Sequence, residues 1–310
     1  MCDPIATAGA TIVGVKVAIS GASGLIGGAL VPALEQAGHD VLRLVRREPT
    51  GAHEASWDPA SGSLDPRVLE GVDAIVNLSG ATIDRRWTAS RKREILDSRV
   101  ETTNLLARVA ATLDPHPAVF VCAGGAGAYG DRGDEILTEE SAPGTGFLAD
   151  VCRAWEAAAD PAREAGIRVL NFRHGIVLSR AGGALPRLLR PFRLGVGGRV
   201  GSGKQWWAWV DMDDLVAAYL FALGGHLDGV ANLTSPNPVT NGQLTKALGK
   251  ALSRPTILPL PAFAARLAFG QMGEELLLGG QRALPARLLD AGFEFRYPEL
   301  DAALARELVP

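Results

Sequence analysis

Residues 15–27 read VKVAISGASGLIG, a strand-length run delivered straight into glycines at 21, 24 and 27. Residues 25–37 continue with helical apolar spacing, so the glycines occupy a strand–loop–helix turn. Glycine spacing alone says little, because glycine punctuates many loops for conformational reasons. In this setting, however, three glycines let the chain turn tightly and bring backbone N–H groups against a pyrophosphate. The helix N-terminus adds unsatisfied donors and a partial positive charge. The spacing is GxxGxxG rather than GxGxxG, and its context points to a dinucleotide.

Outward from this turn the same rhythm repeats. Gly38 ends the helix and DVLRLV (40–45) reads as a second strand. Residues 73–78 and 118–123 read as buried strands around an amphipathic helix at 90–113, whose apolar residues fall at 95, 96, 100, 105, 106, 109 and 113. A helix at 147–164, a strand at 168–172, a helix at 212–223 and a strand at 229–233 follow. Strand–helix alternation with right-handed crossovers predicts an α/β fold, a Rossmann-type doubly wound parallel sheet. Residues 15–182 and 211–235 would form this nucleotide-binding domain. A smaller, mainly helical C-terminal domain would take 183–210 and 236–310, where prolines interrupt short helices and no strand alternation is visible.

The end of the second strand selects the nucleotide. An acidic residue about 20 positions after the loop suits the NAD ribose, whereas Arg suits the 2′-phosphate of NADP. Arg46 and Arg47 stand there, favouring NADP, and Glu48 keeps NAD as the lesser alternative. Two arginines in an Arg-rich chain also fit a solvated strand end.

Composition bounds the rest. The 310 residues suggest two domains at about 150 each. With 47% hydrophobic and 21% charged residues a core is available, and a net charge of −3 argues against a nucleic-acid or anionic-membrane surface. Cys2, Cys122 and Cys152 form no zinc or disulfide pattern, and the five histidines are scattered, so no metal is expected and the compartment reads as reducing and cytoplasmic. Residues 1–14 lack a basic leader and read as a disordered extension. No apolar run reaches membrane-spanning length.

Several blocks together, GASGLIG (21–27), VNLSGA (76–81), RRWT (85–88), KREILDSRVETTNLL (92–106), GSGKQ (201–205), VDMDDLV (210–216) and LPARLLDAGFEFRYPELDAAL (284–304), resemble the extended short-chain dehydrogenase/reductases. More narrowly they are similar to atypical epimerase-family proteins often labelled nucleoside-diphosphate-sugar epimerases, with a small C-terminal domain. The resemblance implies that Gly21, Ser23, Gly24, Leu25, Ile26 and Gly27 hold the pyrophosphate and that Arg46, with Arg47 beside it, meets the 2′-phosphate. Leu78, Ser79 and Gly80 would line the adenosine side, Glu94 and Arg99 would face the cofactor, and Val177 would lie by the nicotinamide. Without the resemblance, Glu94 and Arg99 read as an ordinary solvated charge pattern.

The family's usual acid–base pair is a Tyr with a Lys four residues on, sharing a helix face so that the cation lowers the phenol pKa. Tyr129, Tyr219 and Tyr297 are followed at that spacing by Gly133, Leu223 and Asp301, so the pair does not exist here. By the resemblance, Leu148 stands at the Tyr position, Cys152 at the Lys position, and the expected Ser falls within Ala123-Gly124-Gly125. Candidate substitutes are Tyr129, which also reads as a substrate-pocket residue packing against the cofactor or sugar, and the Cys152 thiol and His174, which also read as structural residues; Lys92 has no Tyr partner. Gln205, Trp206, Trp207 and Trp209 could form a platform for a sugar or flat ring, or Trp207 and Trp209 could be core. Asp211, Asp213 and Asp214 read as a helix N-terminal cluster.

The expected function is an NADP-dependent oxidoreductase or epimerase-like enzyme acting on a small molecule. The alternative is a non-catalytic NADP-binding sensor or interaction protein. The helices at 90–113 and 147–164 show one apolar stripe each, which the sheet consumes, and this favours a monomer over a homodimer.

Overall fold

The computed structural model of the chain describes residues 14–308. Strands β1 (Lys16–Ser20), β2 (Asp40–Val45), β3 (Glu54–Ser56), β4 (Ala74–Asn77), β5 (Val119–Gly125), β7 (Arg168–His174) and β11 (Gly229–Leu233) form one sheet in the order β11-β7-β5-β4-β1-β2-β3. Every pairing in it is parallel. Side chains alternate across each strand, so successive residues feed two cores. Val17, Ile19, Val76, Val121 and Phe172 pack with helices α1 (Leu25–Gln36) and α6 (Met212–Gly224). Ala18, Ile75, Phe120 and Cys122 pack on the other face with α2 (Ala89–Ala110) and α4 (Asp160–Glu164). The strand order reverses between β1 and β4, and the crevice at that switch point is where ligands bind in open α/β sheets.

Two expectations inside this unit change. The helix expected over 147–164 is two helices, α3 (Phe147–Ala157) and α4, because Pro161 has no N–H with which to continue a single one. The edge strand β3 is three residues long, too short to show a period in the sequence.

The remainder is also less purely helical than expected. It holds α5 (Ala184–Arg193), α7 (Asn241–Leu252) and α8 (Ala262–Phe269). It also contributes strands to three two-stranded ladders: β6 (Ile136–Leu137) with β13 (Arg282–Ala283), β8 (Ile176–Leu178) with β10 (Trp209–Asp211), and β9 (Trp206–Trp207) with β12 (Val239–Thr240). These strands are two or three residues long, and residues far apart in sequence form them. Leu185, Leu189, Phe192, Trp207, Trp209, Leu244, Leu248, Leu300 and Leu304 make the core behind the β8–β10 and β9–β12 ladders, whereas Leu137 and Ala283 of β6 and β13 pack with Ala126, Tyr129 and Ala208. No described helix is long and apolar enough to cross a membrane. Residues 1–13, which cover nearly all of the expected N-terminal extension, lie outside the described residues.

Candidate functional site

The glycine loop is built so that only glycine fits. Gly21 has φ +73°, and a Cβ there would lie 2.8 Å from the Leu78 backbone, so β1 can end directly against the end of β4. A Cβ at Gly27 would lie 2.4 Å from the Gly21 carbonyl oxygen, so helix α1 starts in contact with the loop. Gly24 is the N-cap and provides no side-chain cap; the first bond of the helix end runs from Gly28 N to Gly24 O at 2.8 Å. The N–H groups of Leu25, Ile26 and Gly27 therefore have no intrahelical acceptor. Ser23 and Gly24 are exposed beside them. Such an end is an anion site of the kind a pyrophosphate fills.

A buried polar network fixes the neighbouring strand ends. Ser20 Oγ donates to Asn77 Oδ1 at 2.6 Å, Ser79 N donates to the same oxygen at 3.1 Å, and Ser79 Oγ donates to Ser20 Oγ at 3.0 Å. Asn77 Nδ2 donates to Thr103 Oγ1 on α2 at 2.7 Å, and Trp155 Nε1 on α3 donates to that oxygen at 3.0 Å. A polar Asn inside the apolar run AIVN was the signal for this network. Its partners Ser20 and Thr103, 57 and 26 residues away, left no local trace. Leu78 and Val177 are half-buried against the same core cluster as Leu25 and Ile26, which brings β8 to the glycine loop. Gly182 and Gly183 reinforce the contact, since Cβ atoms there would lie 3.2 and 2.9 Å from Leu25.

The two arginines at the end of β2 separate. Arg47 donates to both carboxylate oxygens of Glu54 on β3, at 2.8 and 2.6 Å, and this bond with that to Thr50 draws the Glu54 carboxyl down to about 2. Arg47 is thus paired at the sheet edge, unlike its neighbour Arg46. Arg46 is exposed and makes no side-chain hydrogen bond or ion pair among the described residues. Glu94 is exposed and paired with Arg91 at 2.5 Å, the i,i+3 surface pattern. Arg99 is half-buried beneath Gly80, where a Cβ would lie 3.1 Å from its Cζ. Its Nη1 donates to the Ala81 and Ile95 carbonyls at 3.0 and 2.9 Å, and its Cζ lies 4.8 Å from the Trp155 ring centroid. Burial lowers its pKa to about 10, so it stays a cation at neutral pH.

Of the three candidate proton donors, Tyr129 and Cys152 are buried and His174 is partly exposed. Tyr129 is fully buried; its hydroxyl donates to Asn232 Oδ1 at 2.8 Å, its ring carries the Arg173 guanidinium at 4.8 Å, and burial raises its pKa. Cys152 is buried, its thiol points to the Gly125 carbonyl at 3.5 Å, and burial pushes it up to about 11. His174 Nε2 lies 3.0 Å from the buried Tyr219 hydroxyl, and burial pushes the imidazole down to about 4, leaving it neutral at pH 7. Tyr129 and Cys152 present no ionisable atom to a substrate as placed, whereas His174 is partly exposed and its Nδ1 makes no hydrogen bond among the described residues. Leu148 packs against a buried apolar cluster of Trp87, Ile95, Val151 and Met272, together with Ile83, Phe147 and Leu276. Glu275 reaches across to cap α3, accepting from Phe147 N and Leu148 N at 3.1 and 2.9 Å. Lys92 bonds Gln271 from the exposed face of α2.

Trp207 and Trp209 are core, whereas Gln205 and Trp206 are partly exposed. Trp207 and Trp209 are 5% and 2% exposed, and Trp209 Nε1 donates to Asn237 O. They lie on two different ladders rather than on one hairpin. Trp206 donates to Asp134 with Arg282 over its ring, and Gln205 Nε2 donates to the Val200 and Leu277 carbonyls. Asp211 is the N-cap of α6, its Oδ1 accepting from Asp213 N at 2.8 Å, whereas Asp214 instead holds the backbone N–H groups of Arg296 and Tyr297.

Comparison with known proteins agrees with this architecture. The model of the NAD dependent epimerase/dehydratase family matches residues 17–232, and one described as a domain of unknown function (DUF1731) matches 260–307. The epimerase family protein MT2273 of Mycobacterium tuberculosis is 47% identical over 290 residues, 93% of this chain and 96% of that protein. The crystal structure of human epimerase family protein SDR39U1 with NADPH matches with a TM-score of 0.85 at 35% identity, covering 94% of this chain and 99% of that one. The nucleoside-diphosphate sugar epimerase from Corynebacterium glutamicum matches with a TM-score of 0.81 at 39% identity, over 95% of this chain and 58% of that longer one. The chain belongs to the NAD dependent epimerase/dehydratase family, among relatives named epimerase family proteins.

Proposed function

We propose that this chain binds NADP and acts as an NADP-dependent oxidoreductase or epimerase-like enzyme that works without the Ser and Tyr-x-x-x-Lys set. The observation that carries the cofactor reading is the uncapped α1 N-terminus together with Arg46 at the end of β2, exposed and without a side-chain partner among the described residues, whereas Arg47 pairs with Glu54. The pyrophosphate would lie on Gly21–Gly27, the adenosine side along Leu78, Ser79 and Gly80, and the nicotinamide near Val177, with Glu94 and Arg99 on the α2 side. The human relative crystallised with NADPH supports the same choice. When bound, the dihydronicotinamide supplies a hydride. The chain's own groups bind it, orient it and exclude water.

Titration with NADPH and NADH tests the reading. A charge-assisted phosphate contact contributes about 1.5–3 kcal/mol, so Arg46→Ala weakens NADPH roughly 10- to 100-fold and leaves NADH unchanged. Equal effects on both nucleotides would sink the 2′-phosphate assignment. Leu148, which cannot ionise and packs against a buried apolar cluster, favours a second reading, an NADP-binding protein without turnover. If a panel of carbonyl compounds and nucleotide sugars fails to oxidise bound NADPH, the second reading replaces the first.

A further inference from the structure

The net charge of −3 is a sum over a chain whose charges are segregated. Residues 165–210 and 229–273 contain no Asp or Glu, yet they carry twelve Lys and Arg, so the negative balance lies elsewhere. The two stretches meet in space. Leu260 N donates to Arg199 O at 2.9 Å, Gly201 N donates to Leu260 O at 2.8 Å, and Gly198 lies against the Leu258 carbonyl. Acids from elsewhere reach only part of this face: Asp84 pairs with Arg187, Glu274 with Arg266 and Asp301 with Lys250. Arg190, Arg193, Arg199 and Arg254 are exposed and make no side-chain hydrogen bond or ion pair among the described residues.

The same region turns apolar side chains outward. A surface helix normally buries its apolar stripe. Helix α5 does so, with Leu185, Leu189 and Phe192 inside and Arg187, Arg190 and Arg193 along the exposed side. Helix α8 does the reverse. Only Ala265 is buried there, whereas Phe263 and Leu267, four residues apart on one face, are 72% and 77% exposed. On the segment leading into α8, Ile257 is 76% exposed and Leu258 half exposed. Just past α5, Leu194 is 78% exposed and Val196 half exposed. A concentration of protruding apolar side chains on this scale marks an interaction surface.

The mixture of side chains selects the partner. Arg193 precedes Leu194, Arg254 lies three residues before Ile257, and Arg266 precedes Leu267, so cations stand among the apolar groups. The centre of a protein–protein interface is depleted of charge, and such interspersed guanidiniums do not suit it. A lipid surface accepts the mixture. Apolar side chains enter the acyl boundary while the cations beside them stay level with the phosphates. The absence of carboxylates removes the repulsion that an anionic leaflet would otherwise meet. We infer that the face built from α5, residues 194–199 and residues 254–267 docks on the surface of an anionic bilayer. The contact is peripheral, made without a spanning helix, and it does not depend on the NADP reading.

Flotation of the full chain with vesicles tests this, using phosphatidylcholine alone and phosphatidylcholine containing phosphatidylglycerol. The expected result is binding to the phosphatidylglycerol vesicles only, lost as salt rises from about 50 mM to about 500 mM and the Debye length falls to roughly 4 Å. A cation at an anionic surface contributes about fivefold, so the double variant Arg190→Gln, Arg193→Gln weakens binding roughly thirtyfold. The double variant Phe263→Ser, Leu267→Ser weakens it at least about tenfold, whereas Arg108→Gln, on the exposed side of α2, leaves it unchanged. The arginine pair carries the test should the α8 variant not fold. The inference is overturned if wild type does not float with phosphatidylglycerol vesicles at low salt, if it floats equally with both vesicles, or if both double variants bind as wild type does. Absence of vesicle binding together with a dimer that Phe263→Ser, Leu267→Ser dissociates would overturn it in favour of a second copy of the chain.

Discussion

Asn77→Leu tests whether the buried network holds the cofactor side of the crevice. Asn77 is completely buried and makes three hydrogen bonds: from Ser20 Oγ, from Ser79 N and to Thr103 Oγ1. Leucine has nearly the same shape, so the substitution removes polarity without opening a cavity. Ser20 keeps Ser79 Oγ and Thr103 keeps Trp155 Nε1, but the Ser79 N–H is orphaned. At about 1 kcal/mol per bond the loss is about 3 kcal/mol. For 310 residues the unfolding entropy is on the order of 0.65 kcal/mol/K, so Tm falls by roughly 5 °C. The same change frees the Leu78–Gly80 backbone and lowers NADPH affinity. Thr103→Val interrupts the network one bond further along, so the double variant loses less than the sum of the singles. Thermal melts with and without NADPH measure all of this. A Tm within about 1 °C of wild type, with unchanged NADPH affinity, would refute the reasoning.

Asp211 makes stability pH-dependent in a direction opposite to most carboxylates. Its Oδ2 is buried without a hydrogen bond and burial raises its pKa to about 7, although Arg306 lies 3.9 Å away among Asp213, Asp214 and Glu307. The folded state therefore keeps a proton that the unfolded chain releases. Its stabilisation is fully present below about pH 4 and is lost as pH rises through about 7. Asp211→Asn keeps the cap on Asp213 N and cannot ionise, so its advantage over wild type grows by roughly 1 kcal/mol per pH unit across that window and then levels. Urea unfolding at several pH values reads this; parallel profiles would contradict it. Glu275→Ala removes the cap on α3 and the bond to Gln271 Nε2, and should cost about 1–2 kcal/mol in the same assay. A loss below about 0.5 kcal/mol would mean that the carboxylate is not holding α3.

Long apolar runs made the sheet readable. Residues 15–20, 40–45 and 118–123 cannot be solvated, and their alternation with helical patterns leaves few topologies. The short pieces were not readable: β3, β9 and β12 span two or three residues, and such segments have no period to detect. The Trp segment shows the same limit from the side-chain end. Aromatic content marks a buried surface, but core and pocket both bury it, and only the packing of Trp207 and Trp209 against Leu185, Leu244 and Leu300 chose between them.

By itself the sequence determined that a glycine turn joins the first strand to the first helix, and that no Tyr-x-x-x-Lys pair exists. Both follow from residue identity and spacing, which folding cannot alter. The tertiary structure decided everything that depends on a partner distant in the chain. It tied Arg47 to Glu54 and, among the described residues, left the adjacent Arg46 without a partner; it turned Tyr129 and Cys152 into the protein, set His174 against Tyr219, and set Arg99 under Gly80. The physical reason is that charge and hydrogen-bonding capacity belong to a residue, whereas their satisfaction belongs to the neighbours that strands and helices bring within about 3 Å.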